Sequence, residues 1–265
     1  MAIADNDRYA IRIFLNAVLP NLKTVAEGLP EFKKLWKGKS ALCQISAKSE
    51  DGKVGTHFII DNGNWTVKTG VCETKPDVEL EFSSIPHLNA YFQNKTKKLP
   101  KISGLTKPGK LLAFMKTLMK MASLLGLTKP PEDEALQALL VKMYFYLLPA
   151  GISQLNKTGF KRISDWCAVQ PDRAFSFEVT GHPEVATYLR VKAGNSKVGR
   201  GEYTRSVPFF TMRFRSFKDA LGTLLGIDDM IEAQVTQRLV LDGAPEVGLD
   251  VGDFLLTVGA FAKGA

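Results

Sequence analysis

Seven residues, Pro76-Asp77-Val78-Glu79-Leu80-Glu81-Phe82, alternate apolar and acidic side chains, and an alternating run returns 132 positions later at Pro208–Phe214. Successive strand residues point to opposite faces, so Val78, Leu80 and Phe82 share one face and the acids the other. Such a strand is buried on one side only. The same punctuation follows each run. Ser84 and Ser216, again 132 apart, stand where a helix N-cap belongs, and Pro86 sits in the first turn of the first helix. A short strand and a glycine come next. The glycines, Gly104 and Gly243, are 139 apart, as are Gly109 and Gly248. The seven additional residues fall in Gly226–Thr236, which predicts a longer helix or loop in the second copy.

The order upstream of each run also repeats. An amphipathic helix is predicted over 8–26, then strands at 41–48, 57–61 and 65–69, with hairpin turns at Asp51-Gly52 and Asn62-Gly63. A helix over 84–93, a strand over 99–103 and a helix over 110–125 close the first copy. Two prolines and an acidic stretch, Pro130-Pro131-Glu132-Asp133-Glu134, mark a break and a new helix start. The second copy has a helix over 134–154, strands at 174–179, 186–191 and 197–203, a helix over 216–232, a strand over 238–241 and a helix over 247–261. The reading is an α+β protein made by tandem duplication: a module at 1–126, a linker at 127–134 and a module at 135–265.

Composition narrows the function. The chain has 265 residues, 45% hydrophobic and 23% charged, which is an ordinary globular balance. No run of about 18 uncharged apolar residues exists, so no membrane span is expected. Three cysteines, Cys43, Cys72 and Cys167, without CxxC spacing, argue against a disulfide framework and suit a reducing cytoplasm. Residues 11–25 are apolar on one face only and follow an acidic start, unlike a secretory leader. Residues 1–130 carry 20 Lys and Arg against 11 Asp and Glu, while residues 131–265 carry 15 against 16. The basic half owes its charge to lysine, whereas base and phosphate reading favours arginine, so nucleic acid is not expected as a partner.

Catalytic signatures are missing. The histidines His57, His87 and His182 form no metal-ligand spacing, and no nucleophile elbow is present, so neither enzyme nor metal nor cofactor is expected. Residues 104–110 fit GxxxxGK, but Leu111 stands where the magnesium-holding Ser or Thr belongs. Asp228-Asp229 and Glu132-Asp133-Glu134 sit near helix ends, where a helix-dipole role is the default.

The helix from Lys110 to Leu125 is apolar over more than half its circumference and holds three of seven methionines. Methionine suits pockets that accept variable apolar guests; an ordinary core helix would explain the pattern as well. Lys95, Lys97, Lys98, Lys101, Lys107, Lys110, Lys116 and Lys120 flank it, a rim suited to anionic headgroups or a carboxylate.

Together these stretches resemble the sterol carrier protein-2 family. The first copy resembles it through Pro76–Ile85, the helix carrying Leu88, Tyr91 and Phe92, Lys101-Ile102-Ser103-Gly104 and the helix from Lys110; the second through Pro208–Phe217 and Leu239–Phe254. The second copy departs in having Phe209 where the aspartate belongs and in its seven-residue insertion. The resemblance implies a mostly antiparallel five-stranded sheet with helices packed on one face, and an apolar tunnel that binds or transfers lipid, fatty acyl or sterol-like molecules without chemistry. By the same analogy Leu88, Tyr91, Phe92, Ile102, Leu111, Leu112, Phe114, Met115, Leu118 and Met119 line the first cavity. Phe214, Leu221, Leu224, Leu241, Val251, Phe254 and Leu255 line the second. Burying about 14 methylenes at ~0.8 kcal/mol each gives roughly 11 kcal/mol before association costs, enough for micromolar binding. The expected partners are an apolar small molecule and, transiently, an anionic membrane surface, with a homodimer left open. The alternative is a scaffold, accessory or dimerisation protein of a lipid- or CoA-related pathway, with filled cores.

Overall fold

The computed structural model describes residues 4–264 and divides into two compact units, Met1–Ser123 with Ala260–Ala265, and Leu124–Gly259. In the first unit, α1 (Asp5–Ile13) runs into a π-helical turn (Phe14–Val18), and α2 (Asn21–Gly28) and α3 (Pro30–Trp36) follow. The single helix predicted over 8–26 is thus interrupted. Pro20 lacks the N–H that a continuous helix needs, and the chain restarts behind it. Five strands come next in the chain with α4 (Ile85–Phe92) among them: β1 (Ala41–Ser49), β2 (Gly52–Asp61), β3 (Asn64–Thr69), β4 (Val78–Phe82) and β5 (Lys101–Ser103). α5 (Pro108–Leu125) follows.

The sheet order is β3-β2-β1-β4-β5; only β1 and β4 run parallel, Ile45 opposite Leu80. Val78, Leu80 and Phe82 are buried, as period two requires, with Cys43, Ile45, Phe58 and Ile60. The helices cover this inner face; Thr56 Oγ1 donates to Leu15 O at 2.6 Å from it. The outer face is polar. Glu79 accepts from Ser46 Oγ (2.7 Å), Gln44 Nε2 (2.8 Å) and Lys53 Nζ (3.1 Å). Burial pushes the Glu79 carboxyl up, but these donors outweigh it and hold its pKa below the usual range.

The second unit repeats the plan. α6 (Glu134–Thr158) and α7 (Lys161–Val169) precede β6 (Arg173–Val179), β7 (Thr187–Lys192), β8 (Asn195–Arg200) and β9 (Phe210–Phe214). Then come α8 (Phe217–Leu224), α9 (Met230–Val235), β10 (Leu239–Asp242) and α10 (Pro245–Lys263). Its sheet order, β10-β9-β6-β7-β8, again has one parallel pair, β6 with β9. The helix predicted over 216–232 is two helices, parted by a connection that contains Gly226 (φ +72°), and the seven-residue excess is spent on that connection and α9. Ser84 and Ser216 do cap, accepting from the His87 and Asp219 backbone N–H groups, each at 3.2 Å.

By length and composition α6 is apolar enough to cross a membrane, one 18-residue window having a mean hydropathy of 1.4, although Lys142 and Lys157 keep it from holding an uncharged run of that length. Half of that window is buried within the protein, where Ser153 and Asn156 bond to Ser196 and Gly194 of β8 and its turn.

Candidate functional site

The inner layer of the first unit is built by β2, β3, α3 and α5. The Asn62-Gly63 turn, with φ of +48° and +84°, sets a register in which Trp65 opposes Ile60 and points inward. Trp65 lies edge-on to Trp36 (ring centroids 5.0 Å apart), 5.7 Å from Phe58 and 6.5 Å from Phe114. On α5 the inward positions within this unit are Ala113, Phe114, Thr117, Leu118 and Met121, which follow the i, i+3/i+4 pattern of one helix face. The Trp36 indole N–H donates to Thr117 Oγ1 at 3.0 Å. The Trp65 indole N–H, fully buried, has no hydrogen-bond partner among the described residues.

The residues expected to line the first cavity separate into three places. Phe114 and Leu118 are buried in this layer, with Leu111 and Met115 half-buried beside them. Leu88 is buried on α4, where the half-buried Tyr91 and Phe92 pack on Phe82 at 5.2 and 5.9 Å; Ile102, half-buried, pairs with Leu80. Leu112 and Met119 do not face inward. They lie on the opposite side of α5, 56% and 66% exposed, because a 3.6-residue repeat with inward positions at 113, 114, 117, 118 and 121 leaves 112 and 119 outside. Trp65 and Trp36 are inner-layer residues absent from the expected lining, as are Phe58, Ala113, Thr117 and Met121. Counting two residues on from the Asn62-Gly63 turn would have placed Trp65 on the Ile60 face.

In the second unit Phe214, Leu221, Val251, Phe254 and Leu255 are buried, while Leu224 and Leu241 are half-buried. Phe214 packs 6.2 Å from Phe145, and Phe254 packs edge-on to Trp166 at 5.2 Å.

Two open clefts occupy corresponding places on the sheets, beside the start of β1 or β6 and under the connection that leads into β4 or β9. The first, about 950 Å³, is bordered by Leu42, His57, Ile59, Lys68, Asp77 and Lys110; the second, about 710 Å³, by Arg173, Arg190, Tyr203, Arg205 and Phe209. None of the residues expected to line a tunnel borders either one. The near-P-loop of residues 104–110 has a local explanation: Lys107 and Lys110 both pair with Asp77.

The histidines are held by neighbours. His57 Nδ1 bonds Gly70 O at 2.8 Å, His87 Nε2 bonds Lys98 O at 2.9 Å, and His182 pairs with Glu184 at 3.1 Å. Among the described residues, no three His, Cys, Asp or Glu side chains gather where they could hold a metal ion.

No protein-family model matches the chain, and no curated protein matches it. Some solved structures are similar. One is a conserved hypothetical protein of Thermus thermophilus with a suggested sterol-carrier identity, at 16% sequence identity, covering 47% of this chain and 84% of its own, with a TM-score of 0.29. Another is a sterol carrier protein 2, at 16% identity, covering 49% of this chain and 95% of its own, with a TM-score of 0.27. A third is a stereoselective inverting sec-alkylsulfatase from Pseudomonas sp., at 14% identity, covering 54% of this chain and 28% of its own, with a TM-score of 0.26.

Proposed function

We propose that the first unit binds an apolar molecule carrying one hydrogen-bond acceptor, between its sheet and α5, and does no chemistry on it. The observation that carries this reading is the unpartnered Trp65 indole N–H, enclosed by Trp36, Phe58 and Phe114. An unsatisfied buried donor costs about 1–3 kcal/mol. A guest with a carboxylate, carbonyl or hydroxyl oxygen would recover that cost while its hydrocarbon displaces soft side chains such as Met115 and Met121. Binding rather than catalysis is also supported by the cysteines. Burial raises the Cys43 thiol well above its ordinary value and the Cys167 thiol to about 12, so both stay protonated and poorly nucleophilic.

The test has two arms. Native mass spectrometry with solvent extraction should find a co-purifying apolar molecule, and a fluorescent fatty acid should bind and alter tryptophan emission. Trp65→Phe keeps one aromatic ring and removes the pyrrole ring with its donor. It should weaken fatty-acid binding about tenfold, or ~1.4 kcal/mol, while the vacated pyrrole volume costs about 1–2 kcal/mol of stability, read separately by thermal melts. A chain that yields no apolar molecule and binds no fatty acid defeats the reading.

The aromatic contacts around Phe114 and Phe82 favour a second reading, an accessory or dimerisation module whose inner layers are filled by its own side chains. Under it Trp65→Phe changes no affinity. The common strand order of the two sheets is what a tandem duplication would leave.

A further inference from the structure

Between Ser83 and Pro131 the chain has nine lysines and no acidic residue. Lys107 and Lys110 are neutralised by Asp77, and Lys101 lies near Glu81. Among the described residues, Lys97, Lys98, Lys116, Lys120 and Lys129 enter no ion pair. Four large apolar side chains of the same segment stand in solvent: Leu99 (66%), Leu105 (73%), Leu112 (56%) and Met119 (66%). On α5 the two features share one face. The exposed positions include Gly109, Leu112, Lys116, Met119 and Ala122, spaced three or four apart, with Lys120 at the edge.

We propose that this face of α5 docks on an anionic lipid bilayer, with Leu112 and Met119 entering the headgroup boundary and Lys116 and Lys120 meeting lipid phosphates. A helix with apolar side chains flanked by lysines lies in such an interface, its long side chains reaching up to the charged layer. Isolated apolar residues on a surface need no explanation, but two of them one heptad apart in a wholly basic segment define a charge-selective patch.

The second unit supplies an internal comparison. α10 exposes Leu249 (78%) and Leu256 (75%) at the same seven-residue spacing, but with Asp253 where α5 has Lys116, and with Glu246 and Asp250 nearby. That face has the wrong sign for an anionic surface. It is also a weak acceptor for α5 of a second copy, because Asp253 already pairs with Arg162 at 2.7 Å. Two α5 faces brought together would oppose lysine to lysine. The uniform basic field therefore favours lipid over a second chain.

The experiment is co-sedimentation of the full chain with vesicles of phosphatidylcholine alone, and of phosphatidylcholine with about one-third phosphatidylglycerol. Binding should require the anionic lipid and fall at least tenfold between about 0.05 and about 0.5 M salt. Lys116→Glu with Lys120→Glu should lower it about 25-fold or more, and Leu112→Ser with Met119→Ser should also abolish stable capture. All four sites are at least partly exposed, so unchanged circular dichroism and melting temperature confirm folding. Leu249→Ser with Leu256→Ser should leave capture unchanged. The proposal is overturned by equal binding to neutral vesicles, by no binding, or by a vesicle-independent dimer that Leu112→Ser with Met119→Ser dissolves. It stands apart from the ligand reading: the lysine variants should keep full fatty-acid affinity, and a chain that binds no fatty acid could still dock.

Discussion

Asp77 shows how one side chain sets a corner of the first unit. Its carboxylate accepts from the Leu42 N–H (3.0 Å) and from Lys110 Nζ (2.9 Å), and pairs with Lys107. Burial alone would raise its pKa, but these donors outweigh it and hold the carboxyl at about 2. A folded pKa below the unfolded one adds stability that is complete above about pH 4 and is lost as pH falls toward 2. The partners are partly solvated, so the contribution is screened to about 1 kcal/mol. Asp77→Asn should therefore cost about that much at pH 7 and flatten the loss of stability between about pH 4 and pH 2, as read by urea unfolding at a series of pH values. Parallel curves for both proteins would refute the ionic role. Where the second unit has Phe209, the Arg173 guanidinium stacks 3.6 Å over its ring. The sequence shows this exchange of aspartate for phenylalanine, but not the arginine that answers it, because Arg173 lies far from Phe209 in the chain.

At the scale of elements, glycines that look alike in sequence have different duties. Gly104 has φ +102°, and a Cβ there would strike Asp77 O. Gly109, five residues on, lies in the first turn of α5 with open space around it. Gly104→Ala should cost about 1–3 kcal/mol, whereas Gly109→Ala should be neutral or stabilise by about 0.5 kcal/mol; thermal melts separate the two. Equal losses would mean that backbone conformation is not the cause. The caps give a matched pair: Ser84→Ala and Ser216→Ala should each cost about 1 kcal/mol. Strands, hairpins and caps were legible because their signals are local, as in the Asn62-Gly63 turn or the period-two run at 78–82. α3 and α7 were not legible. Each buries only two side chains, Phe32 and Trp36 in one, Ile163 and Cys167 in the other, too few to show a helical period.

At the scale of the whole molecule, each unit has its own sheet and its own buried aromatic set, Trp36, Trp65, Phe58 and Phe114 in one, Phe145, Phe175, Phe214 and Phe254 in the other. The candidate site was legible to that level and not below it. The apolar excess of α5 is visible in composition, but it divides between an inner face around Phe114 and an outer one at Leu112 and Met119, and only packing decides which is which. Separate cores predict separate responses. Phe114→Ala and Phe254→Ala each empty a buried ring site and should cost about 3–5 kcal/mol. If each core is a cooperative unit, the first substitution should raise amide hydrogen exchange through β1–β5 while β6–β10 keep their protection, and the second should do the reverse. Exchange mass spectrometry on the full chain reads this strand by strand. A rise spread evenly over all ten strands in either variant would mean that the protein unfolds as one body, and the function of one unit could then not be argued apart from the other.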